Sequence, residues 1–256
     1  MANTGSMRVL LVRHGESENN ALHLRPGMTH ELWEQLRTED PVLSDMGQQQ
    51  ADALADYISG ATQDGRAQVL LPVGQILVSP VLRALQTAEP TAKALGLQPT
   101  VWPEIYEKGG IFHNGKKPGH GMGRVEMQER FPTYQIPDEV TDQGWYGVDE
   151  PRGKETMAEA ADRARRVAAR LREMVKEGAG RDGATLLVAH HDFLDLLCQE
   201  LILGSVRSIP PNVFVLYNTA VHGLELHEDG SVTTLFLNSV NHLSAEQMRV
   251  KMLGCM

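Results

Sequence analysis

The first residues of the chain that could carry out chemistry together are Arg13 and His14, because they end a short apolar run. Residues 8–12 are rich in leucine and valine and too few for a typical helix, which predicts a buried strand of a parallel sheet. Ligands of such sheets bind outside the carboxyl ends of the strands. There an imidazole can attack phosphorus, a guanidinium can hold two phosphate oxygens, and Gly15 lets the backbone approach closely. Taken alone, these residues fit a surface charge pair better.

Two further predicted strands also end in residues suited to binding an anion. Residues 75–78 run into a Ser-Pro pair, a favourable helix start with Ser79 as the N-cap, which places Arg83 in the first turn. A cation gains nothing from the helix dipole at that end, so Arg83 fits a role in binding an anion. Residues 185–189 form another apolar run, which ends at His190. Three such strand ends at one edge of a sheet predict a functional site.

Strands and helices alternate along the rest of the chain. The most regular helix covers residues 157–176 and begins with a capping box, and a second covers 48–58, between the N-cap Ser44 and a stop at Gly60. The remaining predicted elements are a short helix at 31–39, a strand at 100–102, a helix at 193–203 with Asp192 as N-cap, and strands at 212–217, 221–226 and 231–237 with a hairpin turn at 228–230. No internal repeat or linker interrupts this pattern, which predicts one α/β domain.

Composition excludes several classes of protein. The 256 residues contain 41% hydrophobic and 22% charged residues, which is ordinary for a globular protein, and the net charge is −9. An acidic chain is a poor match for nucleic acid or an anionic membrane surface, and no apolar run is long enough to span a bilayer. The N-terminus lacks the features of a signal peptide. Cys198 and Cys255 do not make a disulfide framework, so we expect a cytoplasmic protein.

Residues 108–152 show no regular periodicity, apart from one short helix predicted at about 124–130. We expect this stretch to be an insertion that folds over the site like a cap. Its positive residues would then lie above the pocket and could bind a second anionic group of the substrate, although a solvated basic loop is an equal alternative. These residues are Lys108, His113, Lys116, Lys117, His120 and Arg124.

Several motifs of the chain, in the same order, resemble those of the histidine phosphatase superfamily, which has the phosphoglycerate mutase-like fold. Residues 11–17 are Leu-Val-Arg-His-Gly-Glu-Ser, followed by Asn20, and resemble the signature of that family. Residues 43–51 resemble its Leu-Thr-x-x-Gly-x-x-Gln-Ala helix, and residues 79–88 its Ser-Pro-x-x-Arg-Ala-x-Gln-Thr-Ala block. Residues 186–193 resemble the strand with the second histidine, and residues 237–243 the C-terminal block.

The resemblance implies a three-layer α/β/α fold, in which a mostly parallel sheet has helices on both faces, in a single domain over residues 8–246. It assigns the nucleophile to His14, which would form a phosphohistidine, the acid to Glu107, with Glu104 as a nearby competitor, and phosphoryl binding to Arg13, Arg83 and His190. It gives secondary substrate contacts to Gly15, Ser17 and Asn20. The hypothesis of an insertion over the site adds Lys116, Lys117 and Arg124. The resemblance implies a small phosphate ester as ligand, with no cofactor or metal, and leaves a homodimer open.

Within this family, the residues after the acid favour hydrolysis over phosphoryl transfer between substrates. Phosphoglycerate mutases follow their acid with Arg-His-Tyr-Gly, whereas Glu107 is followed by Lys-Gly-Gly. We expect a phosphatase acting on a sugar phosphate or bisphosphate. The alternatives are a mutase, a weakly catalytic scaffold protein, and a metal-dependent hydrolase using His113 and His120. Two departures from the family leave the shape of the site open: His191 replaces a glycine, and residues 153–156 contain one residue more than the family's Gly-Glu-Ser.

Overall fold

A computed structural model describes residues 5–60, 72–112, 119–148, 153–180, 182–207 and 213–248. Its centre is a six-stranded sheet in the order β3-β2-β4-β1-β5-β6. The strands are β1 (Ser6–Arg13), β2 (Val73–Val78), β3 (Thr100–Val101), β4 (Ala184–Ala189), β5 (Val221–His227) and β6 (Val232–Ser239). The pairs β1–β4, β2–β4 and β2–β3 are parallel, and β5 pairs antiparallel with both β1 and β6. The sheet is therefore mostly parallel, as predicted.

Helices cover both faces of this sheet. They are α1 (Glu18–His23), α2 (His30–Leu36), α3 (Asp45–Ser59), α4 (Leu82–Leu95), α5 (Arg124–Arg130), α6 (Met157–Lys176) and α7 (His191–Cys198). Alternate side chains of β1 enter two separate cores: Leu10 and Val12 pack with α3 and α4, and Val9 and Leu11 pack with α6 and α7. Burial on both faces explains why β1 and β4 are continuous apolar runs rather than alternating ones. The predicted α/β/α arrangement is confirmed.

The helix ends predicted from sequence are confirmed for α3 and α6. The Ser44 hydroxyl accepts a hydrogen bond from the backbone of Gly47, and α3 ends at Gly60, whose φ of 76° favours glycine. A capping box of Thr156 and Glu159 begins α6. Helix α5 occupies the residues predicted for the short helix of the insertion.

Three local predictions are wrong, and tertiary contacts explain the first and the third. Val81, and not Ser79, occupies the N-cap position of α4: the Ser79 hydroxyl hydrogen-bonds a histidine at 2.8 Å and accepts only a longer bond, of 3.4 Å, from the Val81 amide. His190, and not Asp192, occupies the N-cap position of α7, and Asp192 lies inside the first turn of the helix. The helix ends at Cys198, and a π-helical turn, Gln199–Leu203, replaces the rest of the predicted helix. Residues 213–217 are not a strand: the Asp195 carboxylate accepts hydrogen bonds from the first two backbone amides, in place of a neighbouring strand.

Of the described part of the insertion, residues 108–112 line the cavity at the sheet edge, whereas residues 119–148 do not. Residues 119–148 send apolar side chains into the core on the α4 side of the sheet, among them Met127, Tyr134 and Tyr146. The Tyr134 hydroxyl also donates a hydrogen bond to the Leu85 carbonyl oxygen in α4. This segment is irregular because it is anchored by single residues and not by one periodic face.

Candidate active site

The three chemically active strand ends lie side by side, as predicted. In the register of the sheet Arg13 is opposite Ala189, and Val78 is opposite Val188. The backbone amide of His14 donates to the Ala189 carbonyl oxygen, which carries the alignment one residue beyond the strand. Because β4 lies between β1 and β2, the side chains that follow each strand converge on one point.

His14 is buried and held in one tautomer. Its Nδ1 lies 2.6 Å from the carbonyl oxygen of Gly15, so Nδ1 carries the hydrogen and donates it. Its Nε2 then has a free lone pair, which accepts a hydrogen bond of 3.0 Å from Nε of Arg83. Burial, and then the charges of Arg83 and Arg13, lower the pKa of His14 well below its usual range. The ring is therefore neutral at pH 7, which is the nucleophilic form of an imidazole.

Arg83 also binds the second histidine. Its Nη2 lies 3.0 Å from Nδ1 of His190, and Nε2 of that ring lies 2.8 Å from the Ser79 hydroxyl. Since arginine only donates, Nδ1 accepts and Nε2 carries the hydrogen. Burial, and then the charge of Arg83, lower the pKa of His190. The two rings, 5.1 Å apart between centroids, are thus both neutral and bridged by one guanidinium.

Arg13 adds a second cation with free donor capacity. Its Nη1 donates to the Leu216 carbonyl oxygen at 2.8 Å, while its buried Nε has no hydrogen-bond partner among the described residues. Burial lowers the pKa of Arg13 to about 10, against the opposing charges of Glu107 and Asp192, so the group stays positive at neutral pH. An unpaired buried donor is costly unless a ligand satisfies it.

Glu107 lies beside these cations at the start of α7. Its Oε1 accepts hydrogen bonds from the backbone amides of Lys108, at 2.9 Å, and Phe193, at 3.2 Å. Burial, and then the negative charge of Asp192, raise the pKa of Glu107. Its competitor Glu104 is bound to Arg166 on the protein surface and does not line the cavity. Glu107 therefore has the position expected of an acid, and its raised pKa favours the proton-donating form.

Sequence reasoning missed the contacts that fix the nucleophile loop. The Gly15 amide donates to the Thr87 hydroxyl, which itself donates to the backbone oxygen of Arg83, so that the two catalytic segments are joined. A Cβ atom on Gly15 would lie 2.6 Å from the carbonyl oxygen of Gly47. The Asn218 side chain donates to the His14 carbonyl oxygen at 2.9 Å. Thr87 and Gly47 belong to the recognised motifs, but their roles depend on long-range packing.

A cavity of about 280 Å³ opens above these groups. Ser17 and Asn20 line it, and they also form the capping box that begins α1, with the Asn20 oxygen accepting from the Ser17 amide. Gly15 is not among the lining residues, so its contribution is to the backbone of the loop. One wall, which sequence reasoning missed, comes from α2 and the residues after it: His30, Trp33, Glu34, Arg37 and Glu39.

The basic residues of the insertion are only partly described. Lys108 lines the cavity, whereas Arg124 does not: its guanidinium binds Asp138 and the carbonyl oxygens of Pro137 and Val140. His120 also lies outside the lining, with Nδ1 against the Tyr146 carbonyl oxygen. His113, Lys116 and Lys117 lie outside the described residues. Of the insertion's basic residues that the structure describes, only Lys108 therefore lies at the cavity.

Two other kinds of site are absent from the described part of the chain. Within it, no group of three or more histidine, cysteine, aspartate or glutamate residues is arranged to hold a metal ion. None of the helices described combines the length and apolar character needed to cross a bilayer.

The fold and this site agree with one family of proteins. The family model of the histidine phosphatase superfamily (branch 1) matches residues 9–239, and the chain belongs to this superfamily. No curated protein sequence matches the chain.

Solved structures share the fold at low sequence identity. A mycobacterial glucosyl-3-phosphoglycerate phosphatase is 20% identical with a TM-score of 0.56, covering 91% of this chain and 99% of its own. A phosphoserine phosphatase from Entamoeba histolytica is 22% identical with a TM-score of 0.57, covering 93% and 100%. A structure described as mycobacterial hydrolase 2 is 19% identical with a TM-score of 0.58, covering 95% of both chains.

Proposed function

We propose that this protein is a metal-independent phosphatase, which hydrolyses a small phosphorylated metabolite in the cytoplasm through a phosphohistidine at His14. The observation that carries the proposal is the buried, neutral His14, with its Nε2 lone pair directed at the Arg83 guanidinium. A phosphoryl group that displaces this contact would meet donors from Arg83 and Arg13 and would lie beside Nδ1 of His190.

The first half-reaction transfers the phosphoryl group to the enzyme. Nε2 of His14 attacks phosphorus, and the bond between phosphorus and the ester oxygen breaks as Glu107 gives its proton to that oxygen. The fixed Nδ1–H bond to the Gly15 carbonyl oxygen stabilises the ring as it becomes positive. Arg83 turns its donors from the two histidines to the phosphoryl oxygens, which leaves Nδ1 of His190 free to accept a hydrogen bond from a protonated phosphoryl oxygen.

The second half-reaction restores the enzyme. Glu107, now ionised, takes a proton from a water molecule as the water oxygen attacks phosphorus, and the bond between phosphorus and Nε2 breaks. Inorganic phosphate leaves, while His14 is again neutral and Glu107 again protonated. Splitting hydrolysis into two displacements is the usual advantage of a covalent intermediate.

Two features support hydrolysis over mutase chemistry. Lys108, Gly109 and Gly110 line the cavity where mutases have Arg-His-Tyr-Gly, so a side chain that would hold a second substrate group is replaced by backbone. Gly110 must stay small, because a Cβ atom would lie 2.2 Å from the ring of Tyr146. Two of the structurally similar proteins are also described as phosphatases.

The cavity wall favours a sugar monophosphate over a bisphosphate. Glu34 and Glu39 line the cavity together with Lys108 and Lys154, and this mixture of charges suits hydroxyl groups better than a second phosphate. Replacing both Lys116 and Lys117 by alanine tests whether the substrate is instead a bisphosphate. We expect the ratio of the rates on mono- and bisphosphates to be unchanged. A loss of activity on bisphosphates alone would show that these lysines bind a second phosphate of the substrate.

The direct test is hydrolysis of an aryl phosphate in excess chelator by the native chain, His14→Ala, and the control His227→Ala, which lies on β5 opposite the start of β1, at the end away from the site. We expect the native chain and the control to be active and His14→Ala to be inactive. Loss of activity with chelator would establish a metal-dependent hydrolase. Equal activity in all three proteins would refute the proposed nucleophile, and absence of activity throughout would favour a mutase or a binding protein.

A further inference from the structure

An ion pair joins the segment of the catalytic acid to the start of α7. Nζ of Lys108 lies 2.6 Å from Oδ2 of Asp192, and the other oxygen of Asp192 lies 3.0 Å from Nδ1 of His191. Both partners are only partly exposed, at 25% for the lysine side chain and 18% for the aspartate. His191 and Asp192 directly follow the second histidine, where the family motif has a glycine next to that histidine.

Glu107 lies between the two segments that this ion pair connects. Its Oε1 accepts from the backbone of Lys108 on one side and from the backbone of Phe193, the residue after Asp192, on the other. Separation of Lys108 from Asp192 would let these two donors move apart. The ion pair therefore acts on the position of the Glu107 carboxyl through the backbone, without contacting the reacting atoms.

Asp192 also acts on the charge of Glu107. Although burial disfavours its ionised form most, the hydrogen bond from His191 and the charge of Lys108 lower the pKa of Asp192 to about 2, so it is negative throughout the working range. A negative neighbour favours the protonated form of a carboxyl group. Three groups favour the ionised form of Glu107 and so oppose the effect of Asp192. They are Arg83 from α4, Arg13 from the end of β1 and His191.

We propose that Lys108 and Asp192 are positioning residues of the reaction, which together hold Glu107 in place and in its protonated form as the proton donor to the leaving group. The inference rests on the proposed function, in which Glu107 protonates the ester oxygen. Asp192 supplies the negative charge, and Lys108 both anchors that charge and partly neutralises it. Replacing Asp192 should therefore favour the ionised form of Glu107, and replacing Lys108 should favour its protonated form.

The test is the pH profile of kcat for two substrates with the native enzyme, Asp192→Asn and Lys108→Met. One substrate is an alkyl phosphate such as glycerol phosphate, whose leaving group needs a proton, and the other is p-nitrophenyl phosphate, whose leaving group does not. With the alkyl ester, the loss of activity at high pH should begin about half a pH unit lower in Asp192→Asn and at a higher pH in Lys108→Met. The aryl ester should show much smaller changes.

A matched control is the exposed ion pair of Glu126 and Arg130 on α5, where Glu126→Gln and Arg130→Met should leave both profiles unchanged. Opposite shifts in the two test variants support the proposal. Equal loss on both substrates without a shift, or shifts in the same direction, would overturn it and leave the ion pair a purely structural role. If the native enzyme hydrolyses neither ester, the proposed function itself fails, which the native profile alone reveals.

Discussion

A buried ion pair holds the segment that precedes Glu107. The substitution Arg163→Met should show how much this ion pair contributes to the stability of the protein. Arg163 of α6 binds Glu155 through two hydrogen bonds, of 2.8 and 2.7 Å, with both side chains at most 3% exposed. Its Nη1 donates to the backbone oxygens of Glu104 and Tyr106, and its guanidinium lies 3.6 Å from the centroid of the Tyr106 ring. One guanidinium thus fixes the residues immediately before Glu107.

The expected loss of folding free energy follows from the groups that the substitution leaves without a partner. Methionine fills much of the volume but leaves the Glu155 carboxylate without its cation, and removing one partner of a buried pair costs about 3–5 kcal/mol. The Tyr106 hydroxyl and the Gly109 amide still donate to this carboxylate, so we expect a value near the middle of that range. For a chain of this size, such a loss lowers the melting temperature by roughly 10 °C. The fold should persist, with a lower kcat on alkyl phosphates.

The assay is urea denaturation of Arg163→Met, Glu155→Gln and the double variant. Because the two residues are partners, the double variant should be destabilised by less than the sum of the single variants. Arg170→Met on the same helix is the control, since Arg170 forms an exposed ion pair with Glu177, and its unfolding curve should match that of the native protein. Additive costs, or a loss below about 1 kcal/mol for Arg163→Met, would refute the reasoning.

Three smaller predictions follow from single contacts. Gly47→Ala places a Cβ atom 1.9 Å from the carbonyl oxygen of Glu16, so it should displace the nucleophile loop and reduce both the melting temperature and kcat. Ser79→Ala removes the acceptor of the buried His190 Nε2–H, and denaturation should show a loss of about 1–3 kcal/mol together with lower kcat. Burial, and then the charge of His191, lower the pKa of His222 to about 4. The unfolded state therefore binds a proton first as pH falls below about 6.5, and the stability lost between pH 7 and pH 5, roughly 2 kcal/mol from this group, should be smaller in His222→Gln.

The sequence was sufficient to predict the central site because its residues follow continuous apolar strands. A strand buried on both faces is visible as a run of leucine and valine, and parallel pairing brings the ends of β1, β2 and β4 together. Arg13, His14 and His190 are therefore placed by local sequence plus one topological rule. Arg83 needs only the short turn that leads from β2 into α4.

Long-range contacts account for the predictions that failed. Ser79 has the composition of an N-cap, but the buried ring of His190 competes for its hydroxyl. Residues 213–217 have the alternation of a strand, but their amides are satisfied by Asp195 from another element. The α2 wall, including Trp33 and Glu34, has no motif, since its relation to the cavity depends on the path of the loop between α1 and α3. No pattern in the local sequence encodes such pairings.

The central claim is that His14 becomes phosphorylated during turnover. The most direct measurement mixes enzyme with excess substrate, quenches it within milliseconds in alkali, where phosphohistidine is stable, and locates the added phosphoryl group by mass spectrometry. We predict one phosphoryl group on the peptide that contains His14, formed and lost at rates compatible with kcat, and none in His14→Ala. Turnover of the native enzyme with His14 unmodified, or with the group on another residue, would contradict this account.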